Sequence, residues 1–353
     1  MTDVSRAREL ALRLGWNATA YQIVNRGIAH WFSRRGDAVV GYVRKNNVFV
    51  VAGAPICDES RLDEVLAEWE GFVARHSGGV VYFGAAGRLH DVLSSHIEYS
   101  TVVLGAQPTW NPNGWNEIIA SHQSLRAQLH RAKNKGVVVE EWPTSRANNH
   151  RQLRRCLREW LATRGFPTLH FLVEPQTLSN LEGRRIFVAQ RENHVVGFLN
   201  LAPIPRRNGW LTEQFVRGQN APNGTIELLM NFATRAVAAD GAQYLTMGLV
   251  PLSDHNTLRK DPNPLWLQFG IGWMRAHGCR FYNFGGLDAF KSKFRPHSWE
   301  PIYAISKEAQ FSPRSLYAIA AAFSGRPPLF AISRALSKAA LQESRWTWEK
   351  LRR

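Results

Sequence analysis

The same order of predicted elements occurs twice along this chain of 353 residues. A two-strand hairpin, an amphipathic helix and a buried strand are predicted over 38–83, and again over 185–249. Both hairpins end in the same tripeptide, Ala-Pro-Ile, at 54–56 and 202–204. Strands that alternate with helices are typical of a sheet with helices on its faces, so the repeat predicts a duplicated α/β unit.

Hydrophobic periodicity sets the bounds of these elements. Each helix has apolar residues at three- and four-residue spacing, which places them on one helical face. Glycines follow each helix, where a chain can turn without steric cost. The predicted strands are 38–43, 48–52 and 80–83 in the first unit and 185–190, 195–201 and 244–249 in the second, with helices at 61–76 and 225–239.

A strongly basic segment, 124–164, connects the two units. It contains ten Lys and Arg residues against three Glu, in a chain whose formal net charge is +16. Two helices, about 115–135 and 148–164, and a short strand at 137–141 are predicted here. Such an excess of positive charge favours a polyanionic partner, nucleic acid or an anionic membrane, although any single residue could belong to a solvated helix face.

Cysteine usage and hydropathy exclude several classes of protein. The three cysteines, Cys57, Cys156 and Cys279, are odd in number and far apart, which excludes a disulfide framework and a Cys-based zinc cluster and fits a reducing cytoplasm. No run of about 18 apolar residues occurs, and the N-terminus lacks the apolar core of a signal peptide. No His/Glu spacing suggests a metal. We therefore expect a soluble cytoplasmic protein with no metal.

The last segment, 312–353, has a different character. It shows a helical pattern without strands, with eight basic residues against two Glu, and Trp346 and Trp348 near its end. Two interpretations remain open: a tail that packs on the protein's own surface, or an interfacial helix on an anionic membrane.

A Pro-Asn-Gly turn at 222–224 precedes the predicted 225–239 helix and follows the segment 213–217. Backbone N–H groups at a helix N-terminus can receive an anion or a developing oxyanion. An ordinary helix entry with glycine in a tight turn is the alternative. Further on, Lys291, Lys293 and Arg295 alternate with other residues, so they would share one face if this stretch were extended.

Several short motifs occur together in one order and spacing. They are Leu-Arg…Leu-His-Arg-Ala…Gly at 125–136, Ala-Pro-Asn-Gly-Thr at 221–225, Gly-Leu-Val-Pro-Leu-Ser at 248–253, Phe-Gly-Gly-Leu at 284–287, Phe-Lys-Ser-Lys-Phe at 290–294 and Trp-Glu-Pro-Ile-Tyr at 299–303. In these motifs the chain resembles the catalytic domain of bacterial aminoacyl-phosphatidylglycerol synthases, the phosphatidylglycerol lysyl- and alanyltransferases also called multiple peptide resistance factors. The resemblance covers roughly residues 20–310.

The resemblance implies two tandem acetyltransferase-like (GNAT) folds, aminoacyl-tRNA as donor in place of acyl-CoA, and a lipid hydroxyl, such as that of phosphatidylglycerol, as acceptor. No cofactor and no protein partner are implied. We expect an N-terminal GNAT-like unit at 1–123, a basic helical connector at 124–164, a catalytic GNAT-like unit at 165–311 and a basic amphipathic tail at 312–353. We expect the protein at the inner face of the cell membrane. The match includes no counterpart of the family's transmembrane flippase, so we expect synthesis of the product without its movement across the bilayer.

Roles for individual residues follow from the chemistry of ester transfer. Lys293 and Lys291 would stabilise charge on the carbonyl oxygen or hold an acceptor phosphate, and Arg217 would clamp a phosphate or carboxylate. Glu213 and Asp254 would bind an ammonium group or accept a proton. The family usually has an acidic residue where this chain has Gln214. Substrate-binding candidates are Asn223, Gly224, Thr225, Ser253, His255, Arg295, Trp299, Glu300 and Tyr303, and tRNA-binding candidates are Arg126, Arg131, Lys133, Lys135, Arg154, Arg155 and Arg158.

Two other functions remain open on the same fold. An acyl-CoA-dependent N-acyltransferase would need a glycine-rich pyrophosphate loop, which Pro222 and the spacing around Asn223-Gly224 fit poorly. A non-catalytic RNA- or membrane-binding protein would not need the alternating cations of 291–295.

Overall fold

The computed structural model describes residues 2–163, 170–253, 255 and 284–324. The predictions for Asp254, Arg164, Cys279 and the end of the tail, including Trp346 and Trp348, therefore lie outside the described residues. All structural statements below concern the described part of the chain.

Helices and strands alternate along both units. The helices are α1 (Asp3–Leu14), α2 (Leu62–Arg75), α3 (Gly87–Leu93), α4 (Trp115–Ser121), α5 (Gln123–Asn134), α6 (Thr144–Ala147), α7 (Arg151–Ala162), α8 (Thr225–Ala239), α9 (Phe284–Ser292) and α10 (Pro313–Ser324). The strands are β1 (Ala29–Phe32), β2 (Val39–Lys45), β3 (Val48–Ala52), β4 (Gly79–Ala85), β5 (Ser100–Trp110), β6 (Val138–Trp142), β7 (Arg185–Arg191), β8 (His194–Ile204), β9 (Gly209–Arg217), β10 (Tyr244–Thr246), β11 (Val250–Pro251) and β12 (Ser298–Ser306).

One sheet of twelve strands runs through both units. Its order is β1-β2-β3-β4-β12-β5-β10-β9-β8-β7-β6, and β11 pairs with β5 outside this path. β12 comes from the 165–311 span, yet it lies between β4 and β5 of the first unit and is antiparallel to both. β10 pairs with β5, which joins the strands of the two units. The units are therefore connected by shared strand pairing as well as by the chain.

Side chains on the two faces of the sheet form separate cores. On one face, α1 and α10 pack over residues of both units, such as Val50 and Ala202, and α7 packs over Phe198. On the other face, α2 and α3 cover the first unit, and α4, α5 and α8 cover the second. Because neighbouring residues of a strand face opposite sides, Ala304 and Ile305 of β12 enter different cores.

Most predicted elements are present, with shifted ends. The predicted helix 225–239 is confirmed as α8, whereas the predicted helix 115–135 is two helices, divided at His122, whose backbone is extended. Arg126 donates to the carbonyls of Ile119 and Ala120, which satisfies the end of α4. The predicted strand 244–249 stops at Thr246, before the left-handed Gly248. No helix among the described residues combines the length and the apolar character that crossing a membrane requires.

Candidate functional site

Two parallel strands of the second unit separate at one end, and the gap between them is called the cleft below. β9 and β10 pair only over Gly209–Leu211 and Tyr244–Thr246, and β9 continues to Arg217 without β10 beside it. The corresponding strands of the first unit, β3 and β4, pair along Val48–Ala52 and Gly79–Phe83 and leave no such opening. The second unit therefore offers the cleft in which a substrate could contact the backbone and helix ends.

Lys291 fixes α9 against the segment that follows β10. Its ammonium donates to the carbonyls of Met247, Gly248 and Leu249 at 2.6, 2.9 and 3.1 Å, and the side chain is buried. These bonds satisfy carbonyls beyond the end of β10. An ammonium group has three hydrogens, so three acceptors leave none to contact a substrate. The structure therefore gives Lys291 a positioning role in place of the predicted catalytic one.

The stretch 291–295 is not extended, so the condition under which its three cations would share one face is not met. Lys291 lies in the last turn of α9, Lys293 follows in a turn, and Arg295 is exposed with a left-handed φ of 46°. The carbonyl of Phe294 accepts a hydrogen bond from the Trp110 indole at 2.9 Å, and the Phe294 ring is fully buried. Burial of this ring turns the chain, and the three cations point in different directions as a result.

Burial of Lys291 makes the stability of the fold depend on pH. Desolvation lowers the pKa of Lys291 from 10.5 to about 7, with Asp288 opposing the shift. Above pH 7 the unfolded chain therefore binds more protons at this site than the folded protein, so the free energy of unfolding rises with pH. Between pH 7 and 8.5 we expect Lys291 to contribute a rise of on the order of 1–2 kcal/mol, measured by urea unfolding.

The matched control for this pH dependence is Lys291→Met, which keeps the aliphatic chain. The variant should be less stable, and its unfolding free energy should lack this part of the rise. An equal pH slope in both proteins would show that the three carbonyls keep Lys291 charged at all these pH values.

Lys293 lies at the N-terminus of α8. Its ammonium is hydrogen-bonded to Oε1 of Glu227 in the first turn of that helix, and both side chains are largely buried. Arg217 donates to the carbonyl of Ala221 and to Oδ1 of Asn223, each at 2.9 Å, and so holds the Pro-Asn-Gly turn. The structure thus brings together Lys293, Arg217 and the predicted turn, where the helix dipole also favours negative charge.

Gly224 lets α5 pack against this turn. The residue has a φ of 91°, and a Cβ at this position would lie 2.1 Å from the carbonyl oxygen of Gln128 in α5. Only glycine accommodates both this conformation and this contact. Thr225, which begins α8, is buried and donates from Oγ1 to the carbonyl of Pro222 at 2.7 Å. Gly224 and Thr225 therefore shape the turn rather than present side chains to a ligand.

His255 lies beside the other side of α9. Its Nε2 is 2.8 Å from Oδ1 of Asp288 and 3.3 Å from Oγ of Ser292, and its ring stacks on Trp299 at 4.1 Å. The backbone N–H of His255 donates to Oγ of Ser253 at 3.3 Å. Asp288 and Ser292 both contact Nε2, so this is not a relay through the two nitrogens of the imidazole. His255 and Lys293 nevertheless both lie at the C-terminal end of α9.

Glu213 is held in a buried ion pair on the opposite face of the sheet. Asn200 lies opposite Gln214 and Leu201 opposite Thr212, so Glu213 is a bulge in the ladder. Arg184 binds both of its carboxylate oxygens, at 2.6 and 2.8 Å. The structure does not bring Glu213 together with Lys293. Thr212 faces Met230 of α8, so alternation places Glu213 on the other face of the sheet, and the bulge places Gln214 there as well.

Gln214 lies in a buried polar cluster on the same face as Glu213. Its amide accepts from Thr177 at 2.9 Å and donates to the carbonyl of Glu174 at 3.1 Å. Asn200 donates to Thr177 at 2.9 Å and completes the cluster. In this arrangement Gln214 is an interior hydrogen-bonding residue.

Glu300 and Tyr303 of β12 lie away from the cleft. The carboxylate of Glu300 accepts two hydrogen bonds from Arg207 and one each from Gln107 and Tyr244. Burial opposes its ionisation, but Arg207 and the other donors hold the pKa of Glu300 below its usual value. Tyr303 stacks on His90 of the first unit at 4.1 Å. These predicted substrate-binding residues connect the two units of the fold.

The predicted tRNA-binding residues do not form one surface. α5 packs over Phe187 and Leu199, whereas α7 packs over Val188 and Phe198 on the other side of the same strands. The exposed cations of α5 therefore share a face of the sheet with α8, and those of α7 lie on the opposite face. Among the described residues, ion pairing in these helices is limited to Arg155 with Glu159 at 2.8 Å. The exposed members are Arg131, Lys133 and Lys135 in the first set and Arg154, Arg155 and Arg158 in the second.

Sequence reasoning missed Glu227, Asp288, Ser292 and Arg184. Glu227 could have been predicted, since an acidic residue in the first turn of a helix favours its N-terminus, and the helix predicted at 225–239 has Glu227 there. The i, i+4 spacing of Asp288 and Ser292 places them on one helical face, but only the fold brings His255 to them. No group of three His, Cys, Asp or Glu side chains that could hold a metal occurs in the part of the chain that the structure describes.

Comparison with known proteins identifies the family of this chain. Residues 8–306 match the model of the family described as phosphatidylglycerol lysyltransferase, C-terminal. The chain belongs to this family. The matched residues include both units, the cleft, α8 and α9, so the predicted resemblance is confirmed.

Relatives and solved structures agree with the family assignment. The chain is 24% identical over 279 residues to a phosphatidylglycerol lysyltransferase of Bacillus subtilis (strain 168), with 77% of this chain and 31% of the relative covered. It is 23% identical over 342 residues to the lysylphosphatidylglycerol biosynthesis bifunctional protein LysX of Mycolicibacterium gilvum (strain PYR-GCK), with 88% and 28% covered. The chain thus spans about a third of the length of these curated relatives.

The fold is that of two solved structures. One is the C-terminal domain (DUF2156) of a putative lysylphosphatidylglycerol synthetase from Agrobacterium fabrum, with a TM-score of 0.76, 21% identity and 92% and 97% of the two chains covered. The other is L-PGS from Bacillus licheniformis, with a TM-score of 0.72, 20% identity and 94% and 95% covered. The predicted mixed α/β fold of tandem acyltransferase-like units is confirmed.

Proposed function

We propose that this protein transfers an aminoacyl group from aminoacyl-tRNA to a hydroxyl of an anionic phospholipid such as phosphatidylglycerol, at a membrane surface. The observation that carries the proposal is the Lys293 ammonium at the N-terminus of α8, within the family match over residues 8–306. The names of the relatives indicate lysyl transfer to this lipid. The basic face of α5 beside the cleft suits a polyanionic donor.

The reaction exchanges one ester for another. The lipid hydroxyl attacks the acyl carbon, the bond from that carbon to the tRNA ribose oxygen breaks, and a proton moves from the lipid hydroxyl to the ribose oxygen. Because the two esters have similar energies, the protein has to supply orientation and stabilisation of charge on the carbonyl oxygen. Among the described residues Lys293 bonds only to Glu227, so two of its three hydrogens remain for this oxygen.

His255 is the candidate for the proton transfer. If Nε2 donates to Asp288, the other ring nitrogen, Nδ1, is the basic one. Stacking on Trp299 holds the ring in place. Ser292, which contacts His255, is next to Lys293 in the chain, so a base and a cation approach the cleft from the same end of α9.

An acyl-CoA-dependent transferase is less compatible with this helix terminus. A pyrophosphate would need the backbone N–H groups of the turn before α8, but α5 packs closely against Gly224 in this turn. A non-catalytic binding protein would not require the buried pairing of Lys293 with Glu227.

The direct test is transfer of radiolabelled amino acid from purified aminoacyl-tRNA into vesicles that contain phosphatidylglycerol. We expect label in the lipid fraction and no competition by acetyl-CoA. Absence of transfer with every aminoacyl-tRNA, together with tight binding of a CoA ester, would assign the chain to the acyl-CoA class. Salt-dependent tRNA binding without transfer would assign it to the non-catalytic class.

The two basic helices give a matched pair of charge reversals for tRNA binding. We expect Arg131, Lys133 and Lys135, all changed to Glu, to weaken tRNA binding strongly and to flatten its salt dependence, because each lost phosphate contact removes about 0.7–0.9 from the slope of log affinity against log salt. The control changes Arg154, Arg155 and Arg158 to Glu and alters the net charge equally. Affinities measured by filter binding at several salt concentrations check this.

The variant that loses more tRNA affinity shows which face of the sheet the tRNA contacts. A larger loss in the α7 variant would place the tRNA on the face opposite α8 and contradict the proposed approach. Equal and small losses would show that both helix faces are merely solvated.

A further inference from the structure

A second candidate binding site lies at the far edge of the sheet, in the first unit. A half-open cavity of about 410 Å³ is bounded by β2, β3, the end of α2 and the loop before β1. It lies six strand positions from β9, and strands are about 4.8 Å apart, so it is roughly 29 Å from the cleft. A ligand here would not take part in chemistry at α8.

The cavity exists because the edge strand, β1, does not run along the full length of β2. β1 begins at Ala29, opposite Tyr42, and the chain before it turns away through Gly27, whose φ is 88°. Val43–Lys45 of β2 therefore lack β1 as a neighbour on that side and form the floor of a notch. The notch is open to solvent, and its size is within the range of small-molecule sites.

Aromatic rings form one wall of the notch. Phe72 of α2 and Tyr42 are both half-buried, and each packs on the buried ring of Phe49, at 6.1 and 5.3 Å between ring centroids. The His76 ring lies 4.2 Å from that of Phe72. Partly exposed, fixed aromatic faces of this kind are platforms on which a planar ring stacks.

The guanidinium of Arg44 supplies positive charge on the same face of β2 as the aromatic wall, because Arg44 lies opposite Phe49 and two residues from Tyr42. Lys45 and His76 also line the cavity, and no Asp or Glu is among its described lining residues. Arg44 is held in place by hydrogen bonds from one guanidinium nitrogen to Asn47 and to the carbonyl of His76, each 3.1 Å, and lies 5.1 Å over the Phe49 ring. Its other N–H groups remain available to an anion.

We propose that this cavity binds a nucleotide unit, with the base stacked on the aromatic wall and the phosphate on Arg44. An aromatic platform beside a fixed cation is the combination that binds single nucleotides and unpaired nucleic-acid ends. The two acyl chains of a phospholipid would need a longer apolar slot than these nine lining residues provide. A free nucleotide and the unpaired end of an RNA share this chemistry.

The first test measures binding of AMP, ribose 5-phosphate and inorganic phosphate to the full chain by calorimetry. If the base stacks, AMP should bind at least about fivefold more tightly than ribose 5-phosphate, the lower limit expected for one base on an aromatic ring. Phe72→Leu should abolish this difference and leave phosphate binding unchanged. Equal affinities for the three ligands in the unchanged protein, or no binding, overturn the proposal.

The second test distinguishes binding of AMP in the cavity from non-specific attraction to the positive charge of the protein. Arg44→Glu should weaken AMP binding at least about tenfold, since it removes one charged contact and adds a repulsion. Arg75→Glu is the control: it lies in the same helix end as His76, is exposed and changes the net charge equally, but it does not line the cavity. Equal losses in both variants overturn the site. Arg44→Gln, which removes the charge without adding a repulsion, replaces Arg44→Glu if the latter fails to fold.

A trinucleotide RNA distinguishes the two sources of the ligand. Affinity at least about tenfold above that of AMP supports an RNA end as the occupant, and equal affinity supports a free nucleotide. Binding of the trinucleotide that Arg44→Glu leaves intact contradicts the assignment to this cavity. None of these measurements depends on aminoacyl transfer, so the proposal stands or fails separately from the proposed function.

Discussion

Lys293→Ala is expected to lower the rate of aminoacyl transfer by about 100-fold or more. The size is that of losing one preorganised donor to a developing oxyanion. The effect should appear in kcat as well as in kcat/KM, because the interaction strengthens as charge grows on the carbonyl oxygen. Lys293→Ala leaves Glu227, whose side chain is 12% exposed, without its cation, and the dipole of α8 offsets part of that loss, so the free energy of unfolding is measured beside kcat.

Lys291→Met is the control for the effect of Lys293→Ala on transfer. Lys291 and Lys293 are two residues apart, but Lys291 bonds to three carbonyls and Lys293 to a single carboxylate of the described residues. Lys291→Met should therefore lower the melting temperature and affect transfer through the position of α9. Transfer at the unchanged rate in Lys293→Ala would exclude Lys293 as the oxyanion donor, even if the family's reaction is confirmed.

Arg184→Met is expected to destabilise the fold by about 3–5 kcal/mol. Arg184 and Glu213 are 0% and 4% exposed, and removing one partner leaves a buried charge without compensation. Burial disfavours the charge on Arg184, but Glu213 outweighs this and keeps the pKa of Arg184 above its usual value. Replacing both residues with apolar ones, Arg184→Met with Glu213→Leu, should recover much of the loss. Urea unfolding measures each variant.

The matched control is the exposed pair of Arg191 and Glu192, which are 3.1 Å apart and 44% and 76% exposed. Arg191→Met should cost less than about 1 kcal/mol. A further variant, Glu213→Gln, decides between a catalytic and a structural role of Glu213. If it is catalytic, Glu213→Gln abolishes transfer without loss of stability, and if it is structural, stability falls first.

Local sequence patterns determined much of the fold. The apolar spacing of 225–239 and the glycine before it gave a helix with correct ends, because amphipathic periodicity and a left-handed N-terminal glycine are local properties. The hairpins β2–β3 and β7–β8 were likewise predicted from local sequence. Each is closed by a two-residue turn, Asn46-Asn47 or Glu192-Asn193, in which both residues adopt positive φ. The motifs also predicted that the Pro-Asn-Gly turn and Lys293 belong to one site, and both lie at the N-terminus of α8.

Tertiary contacts decided the rest. β12 lies between β4 and β5 because its backbone groups find partners there, and nothing in residues 298–306 encodes that distant pairing. The different contacts of Lys291 and Lys293 depend on three carbonyls some forty residues away in sequence, and the position of Gln214 on the same face as Glu213 depends on one bulge against β8. Periodicity reports which face of its own element a residue occupies, but burial, desolvation and hydrogen-bond partners are set by the elements that pack against it.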